Sequence, residues 1–398
     1  MIKVQMFVIL LVLNIFSVRE VYLLAGELAP TKQILCGADQ IDIILKKTTG
    51  KRTAVFVNHT AVLGSKTNGI HLVDTLKRAG VNLVRIFSPE HGFRGDADAG
   101  EDVANSVDPR SGVPIISLYG PNKKPKPEVL KDLDVILFDM QDVGARFFTY
   151  ISSLHYLMEA CAEQNKTVII LDRPNPNSEM VDGPILEKAY KSFVGMHPIP
   201  VTHGMTLGEY ASMINGERWL DGGKQCPLEV IKMKHWKHGD PYSVPNKPSP
   251  NLPNDHSIKL YPSTCFFEGT ILSIGRGTAF PFELAGHPSL KGIYDFQFKP
   301  VSIPGMAKSP LLENQECYGL DMRQEPVPHR VELKYLIEAY RKFPEKEKFF
   351  NSYFDKLAGS SSLRQQIING SSEEEIRETW QPGLEAFRKI RKKYLLYP

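Results

Sequence analysis

Asp134-Val135-Ile136-Leu137-Phe138 runs directly into Asp139-Met140-Gln141-Asp142, and further on Thr167-Val168-Ile169-Ile170-Leu171 runs into Asp172-Arg173-Pro174-Asn175. Both runs are unbroken apolar stretches rich in β-branched residues, the pattern of strands buried on two faces. Between them Ile151, Leu154, Leu157, Met158 and Cys161 recur close to a 3.6-residue period over residues 149–164, which predicts an amphipathic helix. Strand, helix and strand of this kind form one unit of a parallel sheet. Working towards the N-terminus, Thr53–Val57 is a further β-rich run ending at Asn58-His59. Residues 72–78 have helical spacing and stop at Gly80, a natural position for a helix-ending glycine. Residues 81–87 read as another buried strand, and residues 114–119 as a short one closed by Gly120. A short helix is expected over residues 125–131. Apolar strands alternating with helices predict an α/β fold: a Rossmann-like, doubly wound, mostly parallel sheet. No G-x-G-x-x-G follows the first strand and no Walker A sequence is present, so neither nucleotide fingerprint supports a nucleotide-dependent enzyme.

Towards the C-terminus, residues 184–200 read as loop. Val201-Thr202-His203-Gly204-Met205 then leads into Thr206-Leu207-Gly208-Glu209, a capping box that starts a helix to about Gly216. Six prolines (Pro241, Pro245, Pro248, Pro250, Pro253 and Pro262) predict an extended connector near a domain boundary. Residues 271–274 look strand-like and lead into Gly275-Arg276-Gly277-Thr278, a turn of anion-binding type. Residues 331–343 and 363–368 read as helices. Ser372-x-x-Glu375 is another capping box, and residues 384–396 read as a basic terminal helix. The expected organisation is a leader over 1–28, a Rossmann-like domain over 36–250 and a smaller C-terminal α+β domain over 251–398.

The chain has 398 residues, 42% of them hydrophobic and 23% charged, enough for two domains with ordinary globular cores. A formal net charge of +3 gives no sign of a nucleic-acid or polybasic membrane partner. The start differs from the rest: Lys3 precedes residues 6–18, in which Asn14 and Ser17 are the only polar members. That run is short of the roughly 20 apolar residues a membrane span needs. It fits a signal peptide, so an exported chain, periplasmic or secreted, is expected; the alternative is an uncleaved anchor helix. Five cysteines, Cys36, Cys161, Cys226, Cys265 and Cys317, are widely spaced and form no zinc-ligand pattern. Export would permit one or two disulfides without choosing a pairing.

The polar residues fall in a telling place. Asn58, Glu90-His91, Asp139-Gln141-Asp142 and Asp172-Arg173 each follow the C-terminal end of an expected strand. In open α/β sheets ligands bind outside those ends. Glu90, His91 and Arg94 stand within Ser88-Pro89-Glu90-His91-Gly92-Phe93-Arg94-Gly95, where a proline and two glycines shape the turn. A solvated charged loop is the plainer reading of that stretch alone.

Several motifs together carry a family resemblance. Residues 88–95, Phe138-Asp139-Met140-Gln141-Asp142-Val143-Gly144-Ala145-Arg146 and Leu171-Asp172-Arg173-Pro174-Asn175-Pro176 resemble the signatures of the NamZ-like exo-β-N-acetylmuramidases. So do Gly195-Met196-His197-Pro198-Ile199-Pro200, His203-Gly204-Met205-Thr206, Pro248-Ser249-Pro250-Asn251-Leu252-Pro253, Phe267-Glu268-Gly269-Thr270 and Gly275-Arg276-Gly277-Thr278. The resemblance implies a Rossmann-like catalytic domain, a smaller C-terminal domain and a cleft between them. It also implies release of N-acetylmuramic acid from the non-reducing end of peptidoglycan-derived oligosaccharides, with Glu90 as the catalytic glutamate and no metal or organic cofactor.

Those expectations agree with the chemistry of the residues. Glycoside hydrolysis needs an acid to protonate the leaving oxygen, and usually a second carboxylate. Glu90 is the acid candidate, with Asp139 and Asp142 as candidate catalytic partners and Asp172 also on the rim. N-acetylmuramic acid carries a lactyl carboxylate, for which Arg94, Arg146, Arg173 and Arg276 are candidate cations. Asn58, His91, Gln141, Tyr150, His203 and Glu268 complete the expected substrate-binding set. A non-catalytic muropeptide-binding protein would use the same rim.

Overall fold

A computed structural model describes residues 33–64, 69–89, 92–93 and 106–398. The expected leader segment and the candidates Glu90, His91 and Arg94 lie outside the described residues.

The strands form where unbroken apolar runs predict them: β1 (Thr53–Val57), β2 (Leu83–Ser88), β4 (Pro114–Ser117), β5 (Val135–Asp139) and β6 (Thr167–Leu171), with β3 (Ser106–Val107) as a short addition. Helices α1 (Ile41–Thr48), α2 (Leu72–Arg78) and α3 (Tyr150–Glu163) stand between them. After β7 (Val181–Asp182) and β8 (Thr202–His203), which pair with each other, come α4 (Leu207–Gly216) and β9 (Leu228–Ile231). The main sheet has seven strands in the order β3-β4-β2-β1-β5-β6-β9, parallel except at the β3 edge. From β1 the chain winds outward through β2 to β4. It then returns to β5 and winds the other way through β6 to β9. The order therefore reverses between β1 and β5, which is the switch point of a doubly wound sheet.

Alternation along each strand explains why both faces are covered. Val55, Val57, Ile86, Leu137 and Ile169 meet Ile44 of α1 and Leu72, Val73 and Leu76 of α2. Ala54, Phe56, Phe87, Phe138 and Ile170 point the other way, onto Leu154, Leu157 and Met158 of α3 and Tyr210 and Ile214 of α4. At about 25 cal/mol per Å² of apolar surface removed from water, two such faces dominate the stability of the unit. The second face does not end with the sheet. Its core continues into Phe266, Phe267, Leu336, Phe354 and Leu384.

The C-terminal region holds α5 (Asp255–Thr264), an antiparallel sheet of β10 (Leu284–His287), β11 (Gln297–Phe298) and β12 (Cys317–Asp321) in the order β10-β12-β11, and a set of helices. These include α6 (Lys334–Lys342), α7 (Phe354–Ala358), α8 (Ser362–Ile368) and α9 (Glu373–Lys392). The seven-stranded sheet with its helices, and this smaller second domain, are the α/β class the sequence predicts.

Three local expectations are corrected. The proline-rich stretch is not extended to its end: Asn254 caps α5, which carries Pro262 inside it. Residues 271–274 form no strand; Ser273 makes a single bridge to Gly286 before the chain turns at Gly275, where φ is +74°. The terminal helix begins at Glu373, because the Ser372–Glu375 capping box starts it and the exposed Pro382 does not interrupt it. The five cysteines are all buried free thiols. Among the described residues no helix is long and apolar enough to cross a membrane, and no cluster of three metal-ligating side chains is found.

Candidate active site

A cavity of about 990 Å³ opens at the C-terminal side of the sheet. Tyr119, just beyond β4, and Phe147 to Tyr150, between β5 and α3, form one wall, with Ser192 and Phe193 beside them. Ser249, Tyr261, Glu268, Arg276, residues 306–311, Tyr353 and Lys356 form the other. Ser88, the last residue of β2, accepts from the backbone N–H of Leu118 at 2.8 Å. The chain that leads into Glu90 therefore leaves the sheet beside the segment carrying Tyr119.

Tyr150 shows how the wall is positioned. It is the first residue of α3, and its hydroxyl reaches Asn58, the residue that follows β1. Its Oη accepts from Asn58 Nδ2 at 2.7 Å and donates to the carbonyl of Pro248 at 2.9 Å. Asn58 Oδ1 in turn accepts from the Thr60 N–H and hydroxyl, and Thr60 Oγ1 accepts from the N–H of Gln141 at 2.9 Å. Gln141 Nε2 donates to the carbonyls of Asp142 and Pro174. One polar chain thus links the ends of β1 and β5 to the proline-rich segment over them.

The other strand-end residues sit behind the cavity wall. Arg173 holds Asp139 in a buried fork, Nε to Oδ1 at 2.5 Å and Nη2 to Oδ2 at 2.8 Å, and Nη2 also donates to the carbonyl of Val62. Burial works against the Arg173 charge, but the Asp139 carboxylate outweighs it and holds the guanidinium above its ordinary range. Asp172 accepts from Thr206 Oγ1 at 2.7 Å, Gly208 N at 2.9 Å and Tyr397 Oη at 2.6 Å, so it caps α4 and fixes the end of the chain. Burial raises its pKa to about 6 against those donors. Asp142 accepts from the Gly144 N–H at 2.6 Å, while its Oδ1 is buried without a partner. Desolvation raises Asp142 to about 7 although the N–H groups of Gly144 and Val143 oppose it. His203 accepts the Met205 N–H on Nδ1, and burial pushes it down to about 3, so it is neutral.

Arg146 is fully buried. Nη1 donates to the carbonyls of Pro184 and Ile199, both at 2.7 Å, and Nη2 to those of Leu357 at 2.9 Å and Ala358 at 2.8 Å. Desolvation lowers its pKa to about 9. Arg146 thereby ties the loop after β5 to the backbone at Pro184 and Ile199 and to the end of α7. Of the expected binding residues, Tyr150, Glu268 and Arg276 line the cavity. Arg276 Nε donates to Glu268 Oε1 at 2.7 Å, and its guanidinium lies over Phe282 with 5.0 Å to the ring centroid. Lys123, Phe193, Lys308, Tyr353 and Lys356 also line the cavity and are absent from the sequence-derived set. They sit on loops and one short helix far apart in the chain, and no local spacing marks them.

A cleft with aromatic walls and an arginine-held glutamate thus lies over the carboxyl ends of a doubly wound sheet, where open α/β sheets bind their ligands. The sequence comparisons are specific about the family. The N-terminal model described as exo-beta-N-acetylmuramidase NamZ matches residues 53–256, and its C-terminal counterpart matches residues 259–397. The peptidoglycan beta-N-acetylmuramidase NamZ of Bacillus subtilis (strain 168) is 40% identical over 371 residues, covering 88% of each chain. Two crystal structures of DUF1343 family proteins from Bacteroides fragilis superpose closely. One has a TM-score of 0.84 at 44% identity over 92% of this chain and 99% of its own. The other has a TM-score of 0.77 at 30% identity over 93% and 100%. The chain belongs to the NamZ exo-β-N-acetylmuramidase family and is a glycoside hydrolase.

Proposed function

We propose that this enzyme removes N-acetylmuramic acid, one residue at a time, from the non-reducing ends of peptidoglycan-derived chains, with Glu90 as general acid. The observation that carries the reading is the 990 Å³ aromatic-walled cleft in a chain that matches the NamZ family along nearly its whole described length. Tyr119 and Phe193, the half-exposed aromatic residues of this wall, offer apolar ring surface to a sugar, with buried Phe148 and Tyr150 beside them. In sequence Glu90 comes two residues after Ser88, the end of β2, whose carbonyl accepts from the Leu118 N–H next to Tyr119.

For the second carboxylate the observed geometry favours Glu268. Among the described lining residues it is the sole carboxylate. Asp139 has both oxygens engaged by Arg173, Asp172 caps α4, and Asp142 is buried with a raised pKa. In this mechanism Glu90 gives its proton to the leaving glycosidic oxygen as the C1–O bond breaks. Water supplies the new C1–O bond, and its proton returns the site to its starting state. Glu268, oriented by Arg276, lends negative charge to the oxocarbenium-like transition state. The apolar run of residues 6–18 supports export, so the substrate is met outside the cytoplasm.

Product analysis tests the reading. Chains ending in N-acetylmuramic acid should release that monosaccharide from the first minutes, while chains ending in N-acetylglucosamine should stay intact. Internal cleavage to mixed oligosaccharides, or no turnover of either chain, would contradict it. Glu268→Gln should lower kcat by about 100-fold or more at unchanged fold. Wild-type kcat in that variant would return the role to a rim aspartate. For localisation, the processed chain should be recovered from the medium or the periplasm; recovery of the full-length chain from the cytoplasm would overturn export.

A further inference from the structure

Among the described residues, cations outnumber carboxylates in the cavity lining. That lining carries Lys123, Arg276, Lys308 and Lys356 against one carboxylate, Glu268, and that carboxylate is already paired with Arg276. Among the described residues, the arginines expected to meet an anionic sugar are otherwise engaged, Arg276 with Glu268. Arg146 serves four carbonyls and Arg173 serves Asp139, both away from the lining. Lys123 folds back, donating to the carbonyl of Gly120 at 2.5 Å and lying over the Phe193 ring at 5.0 Å.

Lys356 differs from these. It is exposed to the cavity, and its ammonium makes no ion pair with any described residue. Its neighbour Asp355 does not neutralise it, since Arg364 holds both Asp355 oxygens at 2.9 and 2.8 Å. The backbone that carries it is fixed on several sides. Arg146 donates to the carbonyls of Leu357 and Ala358, the next two residues. Gly359, at φ +82°, ends α7 where a Cβ would lie 2.8 Å from Arg146 Nη2. Gly269 lets the segment carrying Glu268 approach Phe354, where a Cβ would meet the Phe354 Cα at 2.4 Å. A cation on so fixed a support costs little reorganisation when an anion arrives.

Given the muramidase reading above, on which this inference rests, we propose that Lys356 recognises the ionised lactyl carboxylate that distinguishes N-acetylmuramic acid from N-acetylglucosamine. Buried Arg146 acts behind it as a positioning residue that sets where the ammonium stands. The lysine is a point charge on a flexible stem, suited to a carboxylate that itself rotates on an ether linkage.

The experiment compares wild type, Lys356→Met and Lys356→Arg on the 4-nitrophenyl glycoside of N-acetylmuramic acid and on its lactyl methyl ester. Lys356→Met should lose about 10- to 100-fold in kcat/KM on the free acid, mostly through KM, as expected when a charge-assisted contact is removed. It should match wild type on the ester, and Lys356→Arg should recover most of the loss. Wild-type KM on the free acid in Lys356→Met, or an equal loss on the ester, would overturn the proposal while leaving the enzymatic reading intact. If wild type hydrolyses neither glycoside, that reading fails by itself, and calorimetric titration with free N-acetylmuramic acid decides the role of Lys356. Binding that disappears in Lys356→Met supports the role. Equal binding in the two proteins, or none in wild type, overturns it.

Discussion

Asp142 is a buried carboxyl with one oxygen held by N–H groups and the other without a partner. Its pKa stands at about 7 against an ordinary value of 3.8. A raised folded-state pKa gives stability that is fully present below the ordinary value and is lost as pH rises through about 7. A shift of that size corresponds to a loss on the order of 4 kcal/mol at most. Asn at this position keeps the acceptor for the Gly144 N–H and carries no charge. We therefore expect the Tm of Asp142→Asn, relative to wild type, to climb as pH goes from 5 to 8. A gap that stays constant across that range would mean Asp142 does not titrate there. Individual residues were also where the sequence was hardest to read. Asp139, Asp142 and Asp172 look alike as strand-end carboxylates in the sequence. Their differences come from Arg173, 34 residues from Asp139, from the turn at Gly144 beside Asp142, and from Tyr397, 225 residues from Asp172; no local pattern connects the first and the last to their partners.

At the scale of elements, the strands were legible because two-sided burial demands unbroken apolar runs, as in Val135–Asp139 and Thr167–Leu171. Capping boxes at Thr206 and Ser372 likewise located two helix starts. The edge strand β9 was missed because it is only half-buried and contains Glu229. The cavity-lining segment 306–311 and helix α7 were missed because their positions depend on distant partners. Arg146, 211 residues before Leu357, makes one such contact. Replacing it by Met removes donors from four buried carbonyls, and each buried acceptor left bare costs roughly 1–3 kcal/mol. Arg146→Met should therefore lower Tm clearly. In whatever fraction stays folded, KM for the free-acid substrate should rise while kcat changes little. An unchanged Tm would show that those carbonyls find other donors.

At the scale of the whole molecule, the end of the chain closes on the sheet. Tyr397 donates to Asp172 at the end of β6 and accepts from the N–H of Met233 at 3.0 Å, while Leu396 N donates to Glu209. Ile376, Trp380, Leu384 and Phe387 of α9 are buried in the core cluster that includes Phe138 and Phe266. Removing residues 394–398 should therefore lower Tm in a single transition for the whole chain. A separate low-temperature transition, with the sheet domain melting as before, would show that the end is an independent appendage. The fold class and the family could be read from sequence because their signals are local and repeated. The cleft could not, because it is assembled from walls that lie far apart in the chain.

Glu90 is the proposed donor of the proton to the leaving group in the release of terminal N-acetylmuramic acid. The direct measurement is the rate of that release from the disaccharide of N-acetylmuramic acid and N-acetylglucosamine, for wild type and Glu90→Gln, with Tm recorded for both. Wild type should release the sugar steadily, and Glu90→Gln should lose about 100-fold or more in kcat at unchanged Tm. A Glu90→Gln enzyme that works at the wild-type rate would contradict that role.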